Sequence, residues 1–296
     1  MPIQIFTDSS SNLSRQTVAA YDLKVIPLTV SVNGVERACF DPEADFEGDA
    51  FYDRLRQAEP PQTQTSMING ATFEAAFEPC LEAGQDVLYV GMSSGISGTY
   101  CAAAQAVSRL AGRYPAREIA AVDTRAASLA EGFMAMEAAR LRDEGKTVKE
   151  IEASLLRQRG HIRQYFMVDD LRFLRRGGRI SGAAALLGGI INLKPILMGD
   201  TEGRIVLHKK IIGKKRAIAA LAELFGQLAC SPHPQIVGIA HGGCEADAFA
   251  LRDMLTPLCE GLNFMIECYE PGTGCHVGPG TVALFFTGPE DRIPAE

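Results

Sequence analysis

The segment Gly91-Met92-Ser93-Ser94-Gly95-Ile96-Ser97-Gly98-Thr99-Tyr100 constrains this chain more than any other. It follows a short apolar run, Val87-Leu88-Tyr89-Val90, which reads as a buried strand. It precedes residues 101–107, an alanine-rich stretch that reads as a helix. A strand that turns into a helix through glycines and hydroxyls is the repeating joint of an α/β sheet. The first amides of such a helix have no internal partners, and the helix end favours negative charge. A carboxylate or phosphate held by hydroxyls is the guest that suits this turn. The same letters also spell Gly-x-Ser-x-Gly over residues 91–95, the turn that exposes the nucleophile of many hydrolases. Ser93 is thus either an attacking group or part of an anion cradle.

Strand-like and helix-like stretches alternate through the first half. Strands are predicted over 3–7, 25–30, 87–90 and 119–123, and helices over 14–21, 49–58, 71–83, 99–111, 126–144 and 148–160. Beyond residue 160 the pattern becomes mixed. A strand is predicted over 162–168, helical stretches over 171–176 and 183–187, and a hairpin from 196–199 and 204–208 around a turn at 200–203. Helices over 213–229 and 246–256 and strands over 236–241, 264–269 and 281–286 complete the chain. The expected fold is α/β. An N-terminal Rossmann-like domain with a parallel sheet covers residues 1–160, and a C-terminal α/β domain of α+β character covers 161–296, with the ligand between them. In a doubly wound sheet ligands bind beyond the carboxyl ends of the strands. Three hydroxyl-rich segments should lie there: Thr7-Asp8-Ser9-Ser10-Ser11, residues 93–99, and Asp123-Thr124-Arg125.

Composition removes several classes of function. The net charge of -7 does not attract nucleic acid or anionic membrane to the surface as a whole, and the absence of Trp weakens a base-stacking role. The 8 cysteines contain no Cys-x-x-Cys pair, so no zinc site is expected, and without a visible secretion leader they read as reduced cytoplasmic thiols. The apolar stretch 183–193 is interrupted by Gly188-Gly189 and Asn192 and is too short to span a membrane. No Walker motif and no Gly-x-Gly-x-x-Gly turn is present, which argues against a nucleotide enzyme.

Read together, Thr7-Asp8-Ser9-Ser10, Val25-Ile26-Pro27-Leu28, Thr65-Ser66, residues 93–100, Leu174-Arg175-Arg176-Gly177-Gly178-Arg179-Ile180, Leu193-Lys194-Pro195-Ile196 and His276-Val277-Gly278-Pro279-Gly280 resemble the DegV family. These are fatty-acid-binding subunits of bacterial fatty acid kinase, and the resemblance runs nearly the whole chain. It implies one long-chain fatty acid as ligand and no cofactor or metal. The tail would lie in an apolar tunnel between two domains. A separate kinase subunit would phosphorylate the carboxylate, so the chain itself would not be an enzyme. The resemblance names Thr65 and Ser94 as carboxylate ligands, with Ser93 and His276 beside them, and Arg172 and Arg175 as residues that recognise the kinase or the acyl phosphate. Its other implied contact is a transient one with a membrane surface. Apolar residues available for tunnel walls are Ile26, Leu28, Leu186, Leu187, Ile190 and Ile191, where Gly188 and Gly189 would let a chain pass close to backbone. Two positions depart from the family pattern. Met67-Ile68 replaces Gln-Pro after the Thr-Ser pair, and Ile212 replaces an arginine before the helix at 213–229.

The competing reading is a serine hydrolase acting on an acyl ester through Ser93. Asp123 or Asp169 would be the acid and His241 or His276 the base. Against it, Ser94 and Ser97 crowd the turn, and no His-Gly-Gly-Gly-like loop precedes it; His241-Gly242-Gly243-Cys244 lies late in the chain.

Overall fold

The computed structural model describes residues 2–57, 59–180, 192–229 and 236–289. Strands β1 (Ile3–Asp8), β2 (Leu23–Ile26), β6 (Asp86–Gly91) and β7 (Ile119–Asp123) form a wholly parallel sheet in the order β2-β1-β6-β7. Every residue of β1 and β6 is buried, as strands covered on both faces require. Helices α3 (Gly70–Glu82) and α4 (Thr99–Arg113) pack together on one face, and α5 (Leu129–Asp143) and α6 (Val148–Gln158) on the other. Phe73 and Phe77 of α3 meet Tyr89 and Phe6 of the sheet edge-on, each pair with ring centroids 4.9 Å apart.

The run 25–30, expected as one strand, is divided. Pro27 has no N–H to give a ladder, so β2 stops at Ile26. The Leu28 amide donates instead to Ser9 Oγ at 3.0 Å. Beyond it, β3 (Thr29–Val32) pairs antiparallel with β4 (Val35–Ala38) and β5 (Thr63–Ser66) in a separate sheet, order β4-β3-β5. Asn33 and Gly34 join β3 to β4 with φ of 52° and 81°, the left-handed pair that a two-residue hairpin needs. This small sheet carries Thr65 to its place opposite Val30.

A six-stranded sheet follows, in the order β10-β9-β8-β13-β11-β12. Its strands are β8 (Ile162–Met167), β9 (Leu193–Gly199), β10 (Ile205–Ile212), β11 (Ile236–His241), β12 (Asn263–Cys268) and β13 (Val282–Thr287). Only β11 and β12 pair in parallel. The hairpin β9–β10 is longer than expected, because β10 continues through the basic residues to Ile212. The two faces of the sheet belong to different cores. Val282, Leu284 and Phe286 pack under α8 (Lys214–Leu228) and α9 (Glu245–Leu255), while Ala283 and Phe285 join the core of the N-terminal half.

Helix α5 lies between the parallel and the mixed sheet. Its alanines Ala130, Ala135, Ala138 and Ala139 are fully buried. Its first turn presses Leu129 and Phe133 against Gly238 of β11, where a Cβ would come within 2.9 Å of the Phe133 ring. Its exposed residues, Arg140 and Asp143, lie in the last turn. Two short helices complete the site region, α7 (Arg172–Arg176) and α10 (Pro271–Val277). No helix among the described residues is long and apolar enough to cross a membrane.

Candidate functional site

A cavity opens where the small sheet, the serine turn and the inner face of the six-stranded sheet converge. It encloses about 910 Å³ of empty space, mouth included, and its walls are mainly apolar, with Leu28, Met92, Phe166, Ile205 and Phe285 among them. Against this apolar background the polar side chains on the wall are few: Thr65, Ser97, Ser128, Gln164, Arg179, Tyr269, Thr273 and His276 are the ones that bear on its chemistry.

Thr65 and His276 meet, with Oγ1 and Nε2 2.8 Å apart. His276 sits in the last turn of α10, a segment that reads as a loop in sequence because Gly272, Gly274, Gly278 and Gly280 flank it. Pro271 at the first helical position and the Glu270 carboxylate, which accepts from the Gly272 amide at 2.5 Å and from the Thr273 amide, start the helix there. Burial, then the positive charge of Arg179 and Arg176, lowers the imidazole pKa to about 4. His276 is therefore neutral at pH 7, and one ring nitrogen can donate. Gly177 makes room for it: a Cβ there would stand 2.2 Å from His276 Nδ1. Arg179 also reaches the wall, and Arg176 Nη2 donates to Thr63 Oγ1 at 3.3 Å. The neighbourhood of the Thr65–His276 pair is thus positive without a carboxylate of its own on the wall.

The serine turn divides its labour. Ser93 is fully buried; its Oγ donates to the Gly203 carbonyl at 2.8 Å and accepts from the Gly95 amide at 3.0 Å. The β9–β10 turn presses so closely that a Cβ on Gly203 would lie 2.1 Å from Ser93 Oγ. Ser94 is exposed and donates to Asp123 Oδ2 at 2.6 Å, while its amide donates to Asp123 Oδ1 at 3.2 Å. Neither lines the cavity; Ser97 does. Ser97 Oγ also accepts from the Thr99 amide at 3.2 Å, at the start of α4.

The other hydroxyl-rich segments turn inward. Thr7 and Ser10 donate to Glu131 at 3.1 and 2.5 Å, and Tyr89 donates to Asp8 at 2.5 Å. Burial, then the Asp8 charge, raises the Glu131 pKa well above its ordinary value, which favours the protonated form. Thr124 donates to the Gly91 carbonyl at 2.8 Å. These segments brace the strand ends and leave the cavity to the later turn.

The structure thus brings Thr65 and His276 together and adds Leu28 to the same wall. Ile26 is in the core at the end of β2 and does not line the cavity. Leu186, Leu187, Ile190 and Ile191 lie outside the described residues. Arg172 and Arg175 are exposed on α7, with Arg172 paired to Asp170 at 2.7 Å. Ser97, Ser128, Arg179 and Tyr269 are wall residues not singled out by sequence. Arg179 carried a signal, its place in the Gly-Gly-Arg-Ile motif; Tyr269, after an ordinary strand, carried none.

A parallel α/β half joined through a shared helix to a mixed sheet, around an apolar cavity with few polar groups, defines an α/β protein with an internal cavity. The family model described as "Uncharacterised protein, DegV family" matches residues 2–288, and the chain belongs to the DegV family. It is 33% identical to the DegV domain-containing protein CPE0026 of Clostridium perfringens, over 96% of this chain and 97% of that protein. A DegV family protein from Thermus thermophilus, whose structure is described by its fatty acid binding, superposes with a TM-score of 0.86 at 29% identity, covering 98% of this chain and 100% of that one. DegV of Bacillus subtilis, described as a fatty acid binding protein, has a TM-score of 0.82 at 28% identity, with 98% and 100% coverage.

Proposed function

We propose that this protein binds one long-chain fatty acid in the cavity, with the carboxylate at Thr65 and His276, and presents it to a separate kinase subunit. The observation that carries this reading is the Thr65–His276 pair, 2.8 Å across, on the wall of a mainly apolar cavity. A carboxylate taken out of water must keep its hydrogen bonds. When the neutral imidazole Nε2–H donates to Thr65 Oγ1, the Thr65 hydroxyl proton is free to donate to the carboxylate, Ser97 adds a hydroxyl, and Arg179 adds charge. Ser93 and Ser94 serve by holding the turn that carries Ser97. The alkyl tail supplies most of the affinity: at about 0.8 kcal/mol per methylene, a ~15-carbon tail offers on the order of 10 kcal/mol before ordering costs. The fatty acid binding of the Thermus thermophilus and Bacillus subtilis relatives supports the same reading.

In this reading the phosphoryl group passes from a nucleotide held by the kinase to a carboxylate oxygen, and this chain lends no catalytic group. Exposed Arg172 and Arg175 face the kinase, and Arg176 and Arg179 balance the charge of the acyl phosphate. The protein works in the cytoplasm and touches the membrane surface only in passing.

Organic extraction of the purified protein followed by mass spectrometry tests the ligand. A stoichiometric fatty acid is expected. A lipid-free protein that also takes up neither palmitate nor oleate overturns the reading. The kinase role is tested by adding a fatty acid kinase catalytic subunit and ATP to the loaded protein and looking for acyl phosphate.

A further inference from the structure

Ser128 stands apart from the other polar groups on the cavity wall. It is 2% exposed, it lines the cavity, and its Oγ has no hydrogen-bond partner among the described residues. It is the N-cap of the 15-residue helix α5, yet it makes no capping bond with its side chain. Its backbone, φ 57° and ψ -146°, lies in a region that only glycine adopts without strain. A serine so placed carries both backbone strain and an unmade hydrogen bond. The Tyr269 phenol, on the same wall, lies beside the Ser128 hydroxyl: burial raises its pKa and that hydroxyl lowers it. The two hydroxyls interact at close range without the alignment of a formed hydrogen bond. Ala126 and Ala127 leave the adjoining wall without bulk.

We propose that Ser128 and Tyr269 form a second polar subsite inside the acyl cavity, which takes one uncharged oxygen carried on the fatty-acid chain, such as a hydroxyl. The subsite rests on the fatty-acid reading and goes beyond it, since it selects oxygenated over plain chains. Neutrality of the guest follows from the surroundings. Glu131 and Asp8 lie at the first turn of α5 and the facing strand end, joined through Thr7 and Ser10, and the arginine on the cavity wall, Arg179, attends the Thr65–His276 pair. A second carboxylate here would add to the Asp8 charge without a cation of its own, whereas a hydroxyl both donates and accepts between two hydroxyls. On a plain chain the Ser128 hydroxyl would be left facing methylenes, an unsatisfied state that a matched ligand oxygen relieves.

The test is competitive displacement from delipidated full-length protein by stearate and by a panel of monohydroxystearates with the hydroxyl at successive carbons. Burying an unmatched hydroxyl weakens binding, so most isomers should bind less well than stearate. At least one isomer should match or exceed stearate in the native protein. Its affinity relative to stearate should fall about tenfold in Ser128→Ala, which keeps the Cβ and the backbone demand, and again in Tyr269→Phe. Reading the ratio to stearate removes any general loss of folded protein. If stearate binds and no isomer separates the native protein from both variants, the subsite is wrong while the fatty-acid reading stands. If stearate itself fails to bind, both fall.

Discussion

Thr65, on the edge of a three-stranded sheet, and His276, in a seven-residue helix more than two hundred positions later, close to 2.8 Å across the cavity wall. Neither element places its residue alone. Asn33, whose amide donates to the Gln62 carbonyl and whose Oδ1 accepts from the Gln62 amide, each at 2.9 Å, fixes the register that puts Thr65 opposite Val30, and Glu270 starts the helix that turns His276 toward it. Replacing Thr65 with Val keeps shape and removes the hydroxyl. Fatty-acid affinity should drop about tenfold to a hundredfold, the worth of a hydrogen bond to a charged group. Calorimetric titration with palmitate measures it, and an unchanged affinity would move the carboxylate elsewhere.

The serine turn gives a sharper contrast. Ser97 lines the cavity, whereas the Ser94 hydroxyl is committed to Asp123 at 2.6 Å. Ser97→Ala should therefore weaken palmitate binding several-fold, and Ser94→Ala should leave it within about twofold. The opposite order, which the family resemblance favours, would mean that the turn rearranges around the ligand.

Much of the scaffold is legible in the sequence, and the reasons for the gaps are local. The apolar runs of β1, β6 and β7 and the alternating pattern of β8 announce strands, and Thr147 with Glu150 announces a helix start that the structure caps reciprocally. The division at Pro27 and the Asn33-Gly34 turn are also written in the chain, but they lie among short polar strands without strong periodicity. Helix α10 hides because Gly272 and Gly274 oppose a helix, which the cap and packing impose. Which serine of the turn faces the cavity depends on Asp123 and Gly203, contacts far off in sequence. Thr65 and His276 came from family resemblance; composition and spacing do not reveal that they meet.

His276 should report the ligand directly. Its pKa is lowered to about 4 by burial and by Arg179 and Arg176. A carboxylate beside it favours the imidazolium, so binding should raise that pKa and take up protons at mildly acidic pH. The same group affects stability. Between its unfolded value, about 6.5, and about 4, the unfolded chain binds more protons than the folded one, so this contribution is full above the window and lost as pH falls through it. Glu270, raised to about 7 chiefly by burial, has the opposite sign: its contribution is full below the ordinary carboxylate value and lost as pH rises through about 7. NMR titration of His276 with and without palmitate separates it from Glu270, and a pKa unmoved by ligand would remove His276 from the head group.

Glu131 should behave as a neutral group. Its carboxyl takes hydrogen bonds from Ser10 and Thr7 and is held well above the usual range by burial and by Asp8. Glu131→Gln mimics the protonated acid and should cost less than about 1 kcal/mol, while Glu131→Ala leaves a void and unpaired hydroxyls at about 2–4 kcal/mol. Because the folded pKa is raised, native stability from this group declines as pH rises toward it, and the Gln variant should lack that decline. Denaturant unfolding at neutral and mildly alkaline pH compares them; equal pH slopes would show the carboxyl ionised in the fold.

The hydrolase reading makes an opposite demand on Ser93. A nucleophile must be free to attack, yet Ser93 Oγ is fully buried between the Gly203 carbonyl and the Gly95 amide. Its partners among the described residues include no histidine. The expected result is no turnover of p-nitrophenyl esters above background, together with a stability loss of about 1–3 kcal/mol in Ser93→Ala from the groups left unpaired. Turnover that disappears with Ser93 would restore the enzyme.

Gly177 offers the test that touches the head-group pair without removing either member. Its backbone is ordinary right-handed helix end, φ -73°, so alanine is tolerated there as a conformation. What alanine lacks is room, since its Cβ would lie 2.2 Å from His276 Nδ1. The least costly relief is rotation of the imidazole, and rotation breaks the contact with Thr65. Gly177→Ala should therefore fold with nearly native unfolding cooperativity but bind palmitate at least about tenfold more weakly. Adding His276→Ala to it should cost little further affinity, because the ring has already left the carboxylate; a double variant with fully additive loss would mean that His276 and Gly177 act on binding separately.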